Sequence, residues 1–481
     1  MPNRQRGASA ALTAAGLALA TWLTACGATP QPSPSPSATG GSPTSSATAA
    51  PAPTATPSTG LSAAWPVYHQ NTDRTGLSPS TPAVTTLSTA WSANLDGAVW
   101  AEPIVVGGNV IVATENDSLY ALNPQSGAVV WRDHVGTPVP RSDLLGCGDI
   151  FPLGMTGTPA YDPATNSIFV VAEETGPVHV LYDFNALTGA VLWSRDVDID
   201  SSLEYRNAVQ QRPALAVANG YVYIGFGGLD GDCSQYVGAV VAVPTSDQGS
   251  SLQFMVPTSR EGAVWATGGP VIVPGGDILV STGNGAATGG TWDESDSVLE
   301  LSPTLKVVGD FAPTRWAEDN ARDLDLGSVA PTLLPGGLIF IAGKSGIGYV
   351  MRLSALTGVG ADVSSAQVCG GAMSFGDTAS LGDDLFQPCS NGIEEISVAS
   401  NGSFSSVWQT SSGANGPPVL GAGDVFSVDT ASGTLYALSQ TTGAVVAQIS
   451  VGAVEHFTSP ALLGDLALVP TRSGVVAISG V

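Results

Sequence analysis

Charge is scarce in this chain. Only 11 % of its 481 residues are charged, and lysine occurs twice, at Lys306 and Lys344. Acidic side chains outnumber basic ones 40 to 15, a net charge of −25. No basic surface is left on which phosphates could displace counterions, so a nucleic-acid partner is excluded. Long stretches of helical period are missing, which excludes a helical bundle or coiled coil. The four histidines (His69, His134, His179 and His456) are scattered without zinc spacing. Gly-x-Ser-x-Gly, a phosphate-binding loop and Cys-x-x-Cys-His are all absent, and with them the signatures of a serine hydrolase, a P-loop enzyme and a c-type haem protein. What abounds is glycine (59) and proline (34), the composition of an all-β chain with many tight turns.

One stretch organises the chain. Ser118–Trp131 reads Ser-Leu-Tyr-Ala-Leu-Asn-Pro-Gln-Ser-Gly-Ala-Val-Val-Trp, and it returns at Val180–Trp193 and Thr434–Ala447, with a worn copy at Gly348–Val359. Alternating apolar residues, a Thr/Ser-Gly turn and a β-branched restart describe strand, turn, strand. A hairpin that cannot bury its own face implies an array of such units.

The N-terminus reads as an export signal. Arg4 and Arg6 precede an apolar run from Ala8 to Leu23, followed by Ala25-Cys26. Leu-x-Ala-Cys is similar to the lipobox of bacterial lipoproteins, so residues 1–25 are expected to be removed and Cys26 lipidated. Residues 26–60, almost only Pro, Ser, Thr, Ala and Gly, cannot bury a core and are expected to form a disordered stalk. The folded body is then 61–481.

Within that body, short "x-Pro-apolar" strands at Pro103, Pro159, Pro213, Pro270, Pro331, Pro418 and Pro460, with Ala372 standing in where proline is missing, count eight units. Each follows the scheme of the first: four antiparallel strands, repeated radially, the pattern of an eight-bladed β-propeller. The last unit supplies three strands before Val481. The segment around Trp91, which has no other partner, is expected to add the fourth and close the ring.

These repeats resemble those of the pyrroloquinoline quinone (PQQ) propeller superfamily, which includes quinoprotein alcohol dehydrogenases and non-enzymatic lipoproteins such as the outer-membrane assembly scaffold. Propeller topology gathers Glu115, Glu173, Glu174, Arg212, Trp265, Asn284, Trp316, Asp323, Asp325, Lys344, His456 and Arg472 on one face, around the channel mouth. Three of them match the dehydrogenase pattern. The resemblance makes Trp265 the platform under PQQ, Asn284 in Thr-Gly-Asn-Gly a calcium ligand, and Lys344 the cation at the quinone oxygens. Three features depart from it. The turn expected to carry the catalytic Asp reads Ser302-Pro-Thr304-Leu-Lys306; the third-blade calcium Glu falls at about Cys233, with Asp232 beside it; and the adjacent Cys-Cys pair does not occur.

The expected function is therefore a lipid-anchored, extracytoplasmic binding or scaffold propeller without catalysis, monomeric, taking a protein partner or a small anionic ligand at its mouth. The alternative is a PQQ- and calcium-dependent alcohol or sugar dehydrogenase, with Asp323 and Asp325 as substitute bases. A disulfide is expected between Cys369 and Cys389, which flank the first two strands of blade six if the first is Ala372–Phe375. Elimination then leaves Cys147 with Cys233, and export favours both.

Overall fold

The computed structural model describes residues 63–480 apart from Ser201, so the signal, the stalk and Cys26 lie outside the described residues. Eight sheets follow one another along the described chain, each built on four antiparallel strands, and the last sheet borrows one strand from the N-terminal end of the described residues. Together they form an eight-bladed β-propeller. In blade one the strands are Ile104–Val106, Asn109–Thr114, Ser118–Leu122 and Val129–His134. The first three are almost wholly buried, while the fourth alternates between exposed and half-buried positions.

That gradient follows from how blades pack. On Asn109–Thr114, Val110 and Val112 join a core with Leu468, Ala477 and Ile478 of blade eight. Their neighbours Ile111 and Ala113 join a second core with Ile168 and Val170 of blade two. Alternate side chains of one strand thus serve two interfaces, so an inner strand reads as a continuous apolar run. The core is a ring of layers between blades.

The repeat motif has a direct cause. Gly127, at φ +68°, lies under the indole of Trp91, where a Cβ would come within 2.5 Å of Cε3. Gly189 lies under Trp131 and Gly443 under Trp408 in the same way. Each indole reaches from the outer strand of one blade onto the Thr/Ser-Gly turn of the next. Two of them also donate Nε1–H to that turn, Trp91 to Pro124 O (2.6 Å) and Trp408 to Gln440 O (2.9 Å).

The ring closes as expected. Leu87–Asn94 pairs antiparallel with Gly474–Gly480, Trp91 opposite Ala477. Two other expectations need correction. Blade six begins with Ala379–Leu381, and Ala372 stands before it in an irregular connection. Thr378 occupies the position that proline holds elsewhere. The worn copy at 348–359 is not a hairpin, because Thr357–Val359 leaves its blade and pairs in parallel with Asp310–Ala312 of blade four. Ser364–Gln367 completes blade five instead.

A second use of the N-terminus was not legible as such. From Trp65 to Leu77 the chain makes backbone bonds to Tyr161, Ile272, Ser380 and Leu420. Arg74 donates to the carbonyls of Leu215 and Pro270. Contacts to inner strands of so many blades within thirteen residues are possible only if the segment crosses the propeller axis.

Candidate functional site

Blade-to-blade connections and second-to-third-strand turns share one face, and there a cavity of ≈500 Å³ opens at the axis. Arg212, Trp265, Asn284, Asp323, Asp325, Lys344 and His456 line it, together with Asp149, Gln210, Asp230, Asp232, Tyr236, Phe375 and Phe457. Among the other residues assigned to this face, Glu115 and Glu173 turn inward to hold connections, and the half-buried Glu174 is bound to the neighbouring strand. Glu115 accepts from Gly154 N–H (2.7 Å) and Thr156 Oγ1 (3.1 Å). Glu173 accepts from Gln211 N–H (2.6 Å), and Glu174 from the Tyr182 hydroxyl (2.5 Å). Trp316 is buried, and Arg472 pairs with Glu455 at 3.1 Å.

The centre of the site is an ion-pair group. Lys344 Nζ stands 2.7 Å from Asp325 Oδ2 and 2.8 Å from Asp323 Oδ1, and 5.6 Å from the centre of the Trp265 ring. Asp325 Oδ1 accepts the Asn284 backbone N–H at 2.6 Å. The turns interlock: Gly262 N–H donates to Asn284 O, Gly283 N–H to Ala263 O and Lys344 N–H to Asp325 O. Trp265, Asn284 and Lys344 are thus brought to one side of the mouth.

A short helix, Trp316–Arg322, delivers the two aspartates. It ends at Asp323 in the left-handed region, φ +56°, and Leu324 N–H returns to Asp319 O. Its Asn320 is bound to Gly285, Ala287 and Ser295, which fixes the helix on the Asn284 turn. Thr304, by contrast, is exposed in a third-to-fourth-strand turn on the opposite face. That turn could not supply a base to the mouth whatever residue it held. Asp325, on another connection, is what brings a carboxylate to the mouth.

Burial pushes the Asp325 carboxyl above the ordinary carboxylate range, against the pull of Lys344. Burial also disfavours the Lys344 ammonium, but Asp325 and Asp323 outweigh it and hold the amine above its usual value. Across the cavity His456 is pushed down to about 4, by burial and then by Arg212. It is therefore neutral near pH 7, though 3.3 Å from Asp149. Five aspartates against Arg212 and Lys344 leave the lining net acidic.

At the mouth the groups that the resemblance assigns to PQQ and calcium are paired with one another. Both Asp325 oxygens are already engaged. Among the described residues the only three His, Cys, Asp or Glu side chains that bring ligand atoms within 4.8 Å of one another are Cys369, Cys389 and Glu394. Two of those are joined as a disulfide. Among the described residues no three such side chains meet at the mouth, and Cys233, at the expected calcium position, is bonded to Cys147. The acidic lining also opposes a polyanion.

Sequence reasoning missed Gln210, Tyr236, Phe375 and Phe457. Phe457 follows His456 in the same connection and was within reach of the topology argument, which counted charged groups before aromatic ones. No motif marks the others.

Among the described residues no helix is long and apolar enough to cross a membrane. Comparison with curated proteins finds no match. Solved structures of similar fold include the quinohemoprotein alcohol dehydrogenase ADHIIG from Pseudomonas putida HK5, at 15 % identity and TM-score 0.67, with 86 % of this chain and 80 % of that one covered. A europium-containing methanol dehydrogenase matches at 15 % identity and TM-score 0.67, covering 88 % and 98 %. BamB from Moraxella catarrhalis matches at 13 % identity and TM-score 0.55, covering 82 % and 98 %. At such identities these likenesses speak to fold alone. A protein-family model described as outer membrane protein assembly factor BamB matches residues 83–359, more than half of the sequence, and the chain belongs to that family of PQQ-like propellers.

Proposed function

We propose that this protein is an exported propeller, anchored through Cys26, that binds a small molecule at its channel mouth without oxidising it. The observation that supports this most is the ≈500 Å³ cavity in which Trp265, Phe375 and Phe457 supply apolar surface beside Lys344, Asn284 and Asp325. A concave pocket with aromatic walls and a few fixed polar groups is the usual form of a ligand site. Two disulfides and membership of a BamB-like family are consistent with an extracytoplasmic location.

The dehydrogenase reading keeps one observation in its favour, the position of Asp325 beside Lys344 and Asn284. That reading requires the Asp325–Lys344 pair to open before Oδ2 could take a substrate proton. The two readings separate in one experiment. Full-length protein purified in detergent is denatured, and any released small molecule is identified by mass spectrometry. The binding reading expects a ligand that is not a quinone, and no alcohol-dependent dye reduction after PQQ and calcium are added. Release of a quinone, or robust turnover, would replace it with the dehydrogenase.

A further inference from the structure

Arg212 is the unusual group of the mouth. It is 8 % exposed and lies between two rings, its guanidinium carbon 5.5 Å from the centre of Trp100 and 5.8 Å from that of Phe457. Its Nη2 is buried without a hydrogen-bond partner, and Arg212 has no ion pair among the described residues. Gln210, 5 % exposed and on the same wall, also has a buried, unpartnered Nε2. Both side chains line the cavity, and neither of these buried donors has an acceptor among the described residues.

The acids around Arg212 are engaged elsewhere. Glu115 holds Gly154 and Thr156. Asp149 faces His456 at 3.3 Å, and Asp377 accepts from Ala330 N–H at 2.8 Å. The segment carrying the two donors is nonetheless fixed. Val209 and Gln210 pair with Gly228 and Gly227, and Gln211 N–H is held by Glu173 at 2.6 Å. A buried guanidinium without a directly paired carboxylate is costly, and one held beside aromatic rings is prepared for a planar anion.

We propose that Arg212 and Gln210 form the anchoring subsite for a carboxylate of the mouth's ligand, and that this ligand is a small organic monocarboxylate; the inference rests on the mouth being a ligand site. Charge selects the class. The five lining aspartates repel a dianion such as phosphate more strongly than a monoanion. The body of the ligand lies against Trp265, Phe375 and Phe457. The carboxylates of Asp230 and Asp232 accept any hydroxyl it carries.

The test is calorimetry on full-length protein in detergent, with 4-hydroxybenzoate, 3-phenylpropionate and gluconate as probes. 4-Hydroxybenzamide and inorganic phosphate serve as controls. At least one monocarboxylate is expected to bind wild type, about thirtyfold or more above the neutral amide and above phosphate. Arg212→Gln is expected to lose that preference and Gln210→Ala to weaken it. The comparison of carboxylate with amide on wild type needs no variant, so a misfolded Arg212→Gln leaves the test intact. Equal affinity for 4-hydroxybenzoate and its amide overturns the inference, as does phosphate binding as tightly as the carboxylates. Binding lost in Trp265→Ala but unchanged in Arg212→Gln overturns the anchor while the mouth remains a ligand site. If no carboxylate binds, the inference falls; if neutral and cationic compounds also fail to bind at the mouth, that reading falls with it.

Discussion

Lys344 Nζ lies 2.7 Å from Asp325 Oδ2, with the two side chains 15 % and 8 % exposed, whereas Asp323, its other partner, is 66 % exposed. The energetic weight of the group therefore rests on Asp325, since the pairing with Asp323 is screened by water. Lys344→Met is expected to cost about 3 kcal/mol at pH 7, because it leaves a buried carboxylate alone. Burial already raises the Asp325 carboxyl, and loss of the ammonium raises it further. The folded variant then holds a proton that the unfolded chain gives up, so its deficit should be largest at high pH and shrink as pH falls. Urea denaturation from pH 5 to 8 measures this. A deficit independent of pH would show that packing, and not charge, was lost.

Glu115 offers a second pH test. It is buried, and its carboxyl is pushed up to about 8 by burial, against the bonds from Gly154 and Thr156. Between about 4.5 and 8 the folded state keeps a proton that the unfolded state releases, so this group lowers stability as pH rises through that window. Glu115→Gln keeps an acceptor for Gly154 and Thr156 but carries no charge. It should match wild type near pH 4.5 and be the more stable of the two at pH 8. Parallel stability curves would contradict the assignment.

Ring closure rests on Leu87–Asn94 lying along Gly474–Gly480. Deleting residues 1–60 is expected to leave a folded monomer. Deleting through Leu95 removes the closing strand and bares the backbone edge of blade eight. It also removes the Trp65–Leu77 crossing and the indole that covers Gly127. Aggregation is expected from the longer deletion, read by light scattering and gel filtration. A monomer with unchanged melting temperature would show that the ring closes without this strand.

Much of this architecture is written locally. Proline before an inner strand and glycine beneath a neighbour's indole are short-range signals with one geometric cause each, so blades can be counted from them. Where the local cue is replaced, the reading slips. Thr378 stands in the proline position of blade six, and Ala372 drew the strand seven residues early. The worn Leu353–Gly358 copy kept its letters while Thr357–Val359 went to the neighbouring blade, because strand exchange is a tertiary choice that a repeat does not record. The mouth was harder. Asp325 depends on a helix inserted between blades and fixed by Asn320, and no spacing rule foretells its reach. Thr304 drew attention by resembling a motif, although the topology puts its turn on the other face.

The disulfide Cys369–Cys389 has a sequence separation of 20 and Cα atoms 5.5 Å apart. Residue pairing near it runs through Ser374 opposite Cys389, a bridge outside the named strands. A cross-link closing a loop of that length should contribute about 3 kcal/mol. Cys369→Ser with Cys389→Ser is expected to lose that much in denaturant titrations. Non-reducing peptide mapping of wild type should recover Cys369 with Cys389 and Cys147 with Cys233. Cys147 joined to either of the other two would refute the scheme.

The central claim is that the mouth is a small-molecule site floored by Trp265. A thermal-shift screen of a broad metabolite library, run on full-length wild type beside Trp265→Ala, tests it most directly. A ligand at a hundred times its dissociation constant should raise the melting temperature of a propeller of this size by about 3 °C. The account predicts compounds that stabilise wild type and leave Trp265→Ala unmoved. A library without stabilising compounds, or stabilisation that Trp265→Ala fully retains, would contradict it.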